Sequence, residues 1–545
     1  MMRRLFGFWG GIKPDSHKNE STRLPVAKAP LPSLLTVPLR QNAGASPRIM
    51  VKAGDPVLKG QMIAAPEDGL SVALHAPTSG HVRAIEARAI AHPSGLAGIC
   101  AIIEPDGAER WVELEPLDAA RTSPEQLRRR LREAGLVGMG GAAFPSYVKA
   151  GGTAIDTLII NGAECEPWIT CDDRLMRERA AKIVLGIEVM AHTLGVKTIL
   201  IGIEDNKPEA LAAMSAAAPS GMEVVAVPTG YPGGGGKQLT YTLTGVETPT
   251  GGRSTDAGIQ VFNVGTAYSL YRAVYLGEPL LSRVVTVTGH VANPGNFEAR
   301  IGTPMTDLLA AAGGALDGAD GEIVGGPMMG FDLMDQAAPV TKSVNCLIVK
   351  DPVRFPPPPT PLPCIRCGAC ARACPADLQP FEMYWFSRAK DFGKAQSYNL
   401  FDCIECGCCA YVCPSHIPLV DFFRFAKSEI WEREQEKHGA DQARQRHEFK
   451  EFRLEREKRE KAEKFARAAE KNKEAAATTT TDATADPDAE KKKAILQAAL
   501  DRAKKAKEAV TPRNTDNLPP RVEKEIAEIE ARRAQAEAKT ESGEG

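Results

Sequence analysis

The sequence predicts a multidomain chain, partly α/β and partly β-rich, that ends in a compact cysteine module and a helical, partly disordered tail. Three observations predict it. The 545 residues exceed what one hydrophobic core serves. A cysteine pattern occurs twice between residues 364 and 413. After about residue 428 the composition turns to Ala, Glu, Lys and Arg.

The first segment, 1–115, reads as strand-rich. Val51 to Gln61 and His75 to Val82 resemble the two half-repeats of a lipoyl-type barrel-sandwich hammerhead. A carrier of that type needs a lysine on the hairpin between the halves. Glu67 to Val82 contains none, so the likeness is one of fold.

Segment 116–280 alternates helix and strand. Helices are expected near Pro124 to Ala134 and Arg174 to Leu194. Strands are expected at Thr157 to Ile160, Lys197 to Ile203 and Met222 to Val227. Such alternation argues for an α/β layer. Segment 281–350 opens on the strand Val284 to Thr288, continues to a helix near Pro304 to Ala312, and reads as a small α+β module. Phe355 to Pro363 lies in a proline-rich linker, 351–363, stiff enough to restrict the reach of the cysteine segment.

In segment 364–428, Cys364, Cys367, Cys370 and Cys374 run C-x2-C-x2-C-x3-C before Pro375. Cys403, Cys406, Cys409 and Cys413 repeat the run before Pro414. This is the ligand pattern of a ferredoxin carrying two [4Fe–4S] clusters. Each tight loop wraps three corners of one cube, and the trailing cysteine ligates the other cube. The expected sets are therefore Cys364, Cys367, Cys370 with Cys413, and Cys403, Cys406, Cys409 with Cys374. Structural zinc uses two ligand pairs rather than triplets with a trailing Cys-Pro. Cys408 breaks the register of the repeat and is excluded. Cys100, Cys165, Cys171 and Cys346 read as small buried residues.

The tail, 429–545, reads as a long solvated helix over Trp431 to Ala468, a disordered stretch from Thr478 to Asp488, and a basic helix over Lys491 to Val510. Net charge is −2, so no basic surface suggests nucleic acid. The most apolar stretch, Ile183 to Ile203, is interrupted by Glu188, His192 and Lys197 and does not read as a membrane span. The patch Leu5 to Trp9 is too short for a signal-peptide core. Partners would hold such a chain at a membrane. Thiolate ligands point to a reducing compartment.

Glycine-rich sites carry the remaining chemistry. Gly138, Gly140 and Gly141 lie in a loop that runs to Lys149. It follows a helix and lacks the last glycine of a dinucleotide fingerprint, so it is not an ordinary Rossmann turn. Asn161 to Pro167, with Glu164 and Glu166, follows the strand ending at Ile160. Tyr231 to Lys237, with four consecutive glycines, follows another strand. Asn263 to Thr266 follows a further apolar stretch. Polar groups at the carboxyl ends of strands are where α/β sheets bind ligands.

Three of these sites, the Gly138 to Lys149 loop, Asn161 to Pro167 and Asn263 to Thr266, resemble the flavin- and NADH-binding subunit of respiratory complex I. The resemblance implies that Gly138, Gly140 and Gly141 cradle FMN and the stacked nicotinamide. It implies that Lys149, Asn161, Asn263 and Thr266 contact the flavin, and that Glu164 and Glu166 help place NADH. Ala163, Ala143 and the acid-free tetraglycine loop depart from that family's pattern. From Gly10-Gly11-Ile12-Lys13-Pro14 to residue 428 the order of parts resembles the C subunits of Rnf ion-translocating electron transport complexes. That resemblance implies a hammerhead, a flavin-type α/β domain, a β-grasp module resembling a soluble-ligand-binding domain, and a two-cluster ferredoxin. It implies a peripheral subunit on the cytoplasmic side of the inner membrane, exchanging electrons between NADH, through FMN, and [4Fe–4S] clusters. Its partners would be the other membrane and peripheral Rnf subunits and a ferredoxin or other redox-protein acceptor. A soluble flavin diaphorase, a flavin-free iron–sulfur relay and a regulator reducing an iron–sulfur transcription factor stay open beside it.

Overall fold

The computed structural model describes residues 3–151, 154–477 and 489–508. Two compact units divide at residue 437.

In the first unit, two small antiparallel sheets form the hammerhead. One pairs Leu35–Pro38, Ala97–Pro105, Gly80–Ala89 and Pro56–Val57 in that order. The other pairs Arg48–Ile49, Met62–Ala65 and Leu74–His75. Alternate residues turn inward, as strand geometry requires, and Leu35, Val37, Ile63, Leu74, Val82 and Ile103 are buried between the sheets.

The α/β domain is a four-stranded parallel sheet in the order Met222–Val227, Thr198–Glu204, Thr157–Asn161, Ile259–Asn263. Leu158, Ile159, Ile160, Leu200, Ile201 and Ile203 are buried, the continuous apolar run of a sheet covered on both faces. The helix Pro124–Glu133 starts where Ser123 and Gln126 form a capping box with Pro124 in the first turn. Cys171–Leu194 ends at Gly195, whose φ of +67° is the left-handed stop glycine supplies at low cost. Successive strands first build outward from Thr157–Asn161 in one direction. The last strand, Ile259–Asn263, then adds on its other side. The order therefore reverses between Asn161 and Asn263, which are register partners.

The third module is a six-stranded mixed sheet with the helix Met305–Ala311. Val285, Val287, Phe297, Leu308, Leu347 and Val349 form its core. Its edge strand is Ala27–Lys28, from the start of the chain, paired to Phe297 and Glu298.

That pairing shows what the first residues do. They do not pack in the hammerhead. Arg3 bonds Glu223, Phe6 N donates to Thr242 O, and Ile12 exchanges backbone hydrogen bonds with Tyr231. Gly11 N donates to Ala373 O in the cysteine module. The start of the chain thus runs as a strap over three later domains.

The linker residues 356–363 carry no regular structure and are exposed. The cysteine module consists of short helices around a core of Leu378, Met383, Tyr384, Leu400, Ile417 and Phe423. The helix Leu419–Ala477 begins within this core, and beyond residue 437 its described side chains face solvent, with Arg453, Arg456 and Arg459 each paired to a glutamate one turn on. Ala489–Glu508 is also helical. Thr478 to Asp488 and the end of the expected basic helix beyond Glu508 lie outside the described residues. No helix among the described residues is long and apolar enough to cross a membrane.

Candidate functional site

The eight cysteines converge on two cavities. Cys364, Cys367, Cys370 and Cys413 line one, with Phe381, Tyr384 and Ile417. Cys374, Cys403, Cys406 and Cys409 line the other, with Met383, Val420 and Phe423. The trailing cysteines therefore cross over, each reaching the cavity of the other run. The backbone that wraps them repeats as well. Gly368 and Gly407 have φ of +73° and +80°, and Arg366 and Glu405 have φ of +57° and +56°. These left-handed residues turn the amides of Arg366 and Glu405 onto the sulfurs of Cys364 and Cys403 at 3.4 Å. Burial pushes the Cys403 thiol up to about 11, so a metal must displace its proton. Four soft sulfur ligands around each small apolar cavity fit an iron–sulfur cube. Cys408 is fully buried and does not line either cavity; its sulfur lies 4.0 Å from the carbonyl of Tyr231 and beside the sulfur of Cys406.

The second candidate site lies where the parallel sheet reverses its order. The helices that follow the two flanking strands, Cys171–Leu194 and Val264–Tyr275, pack together on the face of Leu158 and Ile160, and Gly236–Thr244 covers the other face beside Ile159 and Leu200. Ligands of open α/β sheets bind at the carboxyl ends of the strands at such a reversal. Asn161 and Asn263 end the two strands that flank it. Asn263 caps the helix Val264–Tyr275 by accepting from Gly265 N at 2.8 Å, and its amide donates to Asp172 at 2.5 Å. The glycine loop closes over this point. Met139 N donates to the hydroxyl of Thr266 at 3.0 Å, and Gly138 N donates to Phe144 O at 2.8 Å. Gly140 and Gly141 are exposed. A Cβ on Gly140 would approach the Asn263 side chain at 3.7 Å, and Gly141, at φ +112°, faces open space. Bare backbone beside two asparagine amides and a threonine fits the phosphate and ring of a flavin. Ala143, where the complex I pattern has glycine, sits at φ +46° and accepts a hydrogen bond from Ala43 N of the hammerhead.

The other expected residues have distinct placements. Asn161 donates to Gly234 O at 2.7 Å and accepts from Ala163 N, tying the tetraglycine loop to the crevice. The Lys149 ammonium bonds Val261 O and lies 4.6 Å over the Phe262 ring. Burial lowers its pKa to about 8. Glu164 accepts from Asp172 N at 2.7 Å and Asp173 N at 3.2 Å, so its carboxylate sits on the N-terminus of the helix Cys171–Leu194. Burial pushes it up to about 8. Glu166 accepts from Met328 N and Met329 N, joining the α/β domain to the β-grasp module.

Two further contributors are Lys18, which carries no readable signal, and Tyr231, whose loop stands out in the sequence for its glycines and not for its ring. Lys18 is buried in the strap and donates to the carbonyls of Glu164, Glu166 and Ile169 at 2.8, 2.8 and 2.5 Å, which holds the whole 164–169 loop. A lone lysine in an irregular segment has no pattern to reveal it. Tyr231 precedes the tetraglycine loop, is 2% exposed, and donates its hydroxyl to Cys406 O at 2.7 Å.

Comparison with known proteins agrees with this layout. Residues 6–108 match the RnfC barrel sandwich hybrid domain. Residues 131–272 match the Nuo51 FMN-binding domain, 284–332 the SLBB domain, and 363–417 the 4Fe-4S dicluster domain. A solved chain of an NAD+-reducing [NiFe]-hydrogenase aligns over 54% of this chain and 61% of its own, with a TM-score of 0.42 and 19% identity, a likeness too distant to bear on function. Curated relatives are much nearer. The C subunit of the ion-translocating oxidoreductase complex of Serratia proteamaculans is 46% identical over 405 residues, covering 73% of this chain and 58% of that protein. This chain thus spans less than two thirds of the Serratia protein's length. The protein of the same name from Citrobacter koseri is 44% identical over 546 residues, covering 98% of this chain and 75% of that protein. The Haemophilus influenzae (strain 86-028NP) protein is 43% identical over 453 residues, covering 82% of this chain and 68% of its own. With its cysteine cavities, its flavin-type crevice and these relatives, the chain belongs to the family of C subunits of ion-translocating oxidoreductase complexes.

Proposed function

We propose that this chain is the peripheral electron-input subunit of an Rnf-type ion-translocating oxidoreductase. It accepts reducing equivalents from NADH at an FMN held in the crevice and delivers them through two [4Fe–4S] clusters. The observation that carries this reading is the crossing of Cys374 and Cys413 into opposite cavities. That crossing is the ligand geometry of a two-cluster ferredoxin. In this reading each lining quartet ligates one cluster.

When bound, FMN supplies the chemistry that joins a two-electron hydride donor to one-electron carriers. The protein supplies placement. Gly138, Gly140 and Gly141 present backbone to the flavin without side chains in the way. Asn161, Asn263 and Thr266 orient it. Glu164 acts through the helix it caps, and Glu166 through the β-grasp module it holds. Lys149 lies under the strand of Asn263 and supports the crevice from behind. The chain is held by partner subunits at the cytoplasmic face of the inner membrane, and a ferredoxin or another redox protein exchanges electrons with the assembly.

A flavin-free cluster relay is the second reading, favoured by the engagement of Lys149 with Val261 O. Anaerobic reconstitution with iron, sulfide and FMN separates the two. Bleaching of flavin and then of the broad iron–sulfur absorbance on adding NADH supports the input subunit. Clusters that respond to dithionite but not NADH, with no flavin retained, support the relay.

A further inference from the structure

The α/β domain and the cysteine module meet at Tyr231. Its backbone is paired in both directions with Ile12 of the strap, its ring is buried against Cys406, Cys408 and Ala373, and its hydroxyl ends on the carbonyl of Cys406. Five residues on, the loop it opens becomes the helix Gly236–Thr244. Gln238 of that helix donates to Pro375 O at 3.4 Å, beside Cys374. In the other direction Gly234 O accepts from Asn161. A Cβ on Gly234 would meet Cys165 at 3.0 Å, so the loop lies flat against the crevice wall. One short loop therefore touches both the candidate flavin site and two lining residues of a single cavity, that of Cys374, Cys403, Cys406 and Cys409. The other cavity has no such contact among the described residues.

We propose that Tyr231 is a positioning residue for electron passage between flavin and the cluster of Cys374, Cys403, Cys406 and Cys409, and that its hydroxyl tunes that cluster alone. The inference rests on the flavin and cluster reading above. One electron leaves the reduced flavin and the cluster gains it. Tyr231 keeps its proton and changes no oxidation state. Its work is geometric and electrostatic. The rigid loop fixes the separation of the two groups. The O–H dipole, with its positive end toward Cys406, favours the more negative, reduced cluster.

The test uses the full chain, reconstituted anaerobically, as wild type and Tyr231→Phe. A dithionite-based redox titration followed by electron paramagnetic resonance reads each cluster without needing flavin. The expected result is a more negative midpoint for one cluster and an unchanged midpoint for the other. In rapid mixing with NADH, flavin bleaching should stay within about twofold while cluster reduction slows at least roughly tenfold. Unchanged midpoints together with unchanged cluster reduction overturn the inference. A wild type that retains no flavin, or whose flavin ignores NADH, overturns the functional reading instead, and the titration still judges the hydrogen bond. If Tyr231→Phe loses its clusters, fluorotyrosine at position 231 keeps the ring and strengthens the donor. The same cluster should then shift to a more positive midpoint, and no shift overturns the inference.

Discussion

At the residue scale the cysteine chemistry was readable and the conformational detail was not. Ligand spacing is local, so the crossed assignment of Cys374 and Cys413 follows from sequence. In the structure each of the two lines the cavity of the opposite run. Replacing Cys374 with Ser should remove the cluster beside Tyr231, and Cys413→Ser the other, each leaving about half of the iron by colorimetric assay. Cys408→Ala should keep all of it. Loss of iron in that variant would reinstate Cys408 as a ligand. The glycine loop shows what spacing does not disclose. Gly141 at φ +112° cannot become alanine without strain of about 1–2 kcal/mol. Gly141→Ala should weaken FMN retention by roughly tenfold in an ultrafiltration assay, by the conversion of that strain to an equilibrium constant. Ala143 already occupies a left-handed position.

At the element scale, helices and strands of the α/β domain were legible because their apolar runs and caps are strong. Their order in the sheet was not. Strand order depends on which face each crossover covers, and no short-range pattern encodes that. Only the fold shows that Asn161 and Asn263 face one another where the order reverses. It likewise shows that Glu164 seats on the first turn of Cys171–Leu194. A carboxylate eight residues before the amide it caps is a tertiary contact. Asn263 serves two elements at once. Asn263→Ala removes a helix cap, at about 1 kcal/mol, and the amide donor to half-buried Asp172, at about 1 kcal/mol more. Amide hydrogen exchange should show reduced protection confined to Val264–Tyr275. Protection equal to wild type would deny the cap its role.

At the scale of the whole molecule, domains lock through buried polar groups. Lys342 of the β-grasp module donates to Ala73 O of the hammerhead at 3.0 Å and to Gly135 O, just before the glycine loop, at 2.6 Å. Its neighbour His75 is buried with Nδ1 unpartnered. Burial, with help from the Lys342 charge, lowers the His75 pKa to about 3. The folded state thus keeps His75 neutral, whereas the unfolded chain takes a proton as pH falls below about 6.5. Stability is complete above that value and declines by about 1.4 kcal/mol per pH unit down to the folded pKa. Between about pH 7.5 and pH 5.5 the wild type should lose about 1.4 kcal/mol more than His75→Leu, measured by exchange protection of the Leu74–His75 hairpin. Equal losses would place the acid sensitivity elsewhere. None of this junction could be read in advance, because Lys342 and His75 lie far apart in sequence within segments that look self-contained.

The strap has a temporal side. Ala27–Lys28 needs Phe297 and Glu298, Ile12 needs Tyr231, and Gly11 needs Ala373. During synthesis at roughly 5–20 residues per second, Gly11 waits on the order of half a minute for Ala373. The hammerhead and the α/β sheet can form in that interval, but the strap cannot close until the cysteine module has left the ribosome. Docking of the strap is therefore completed late, and only on a chain that has been made as far as Ala373 in the cysteine module.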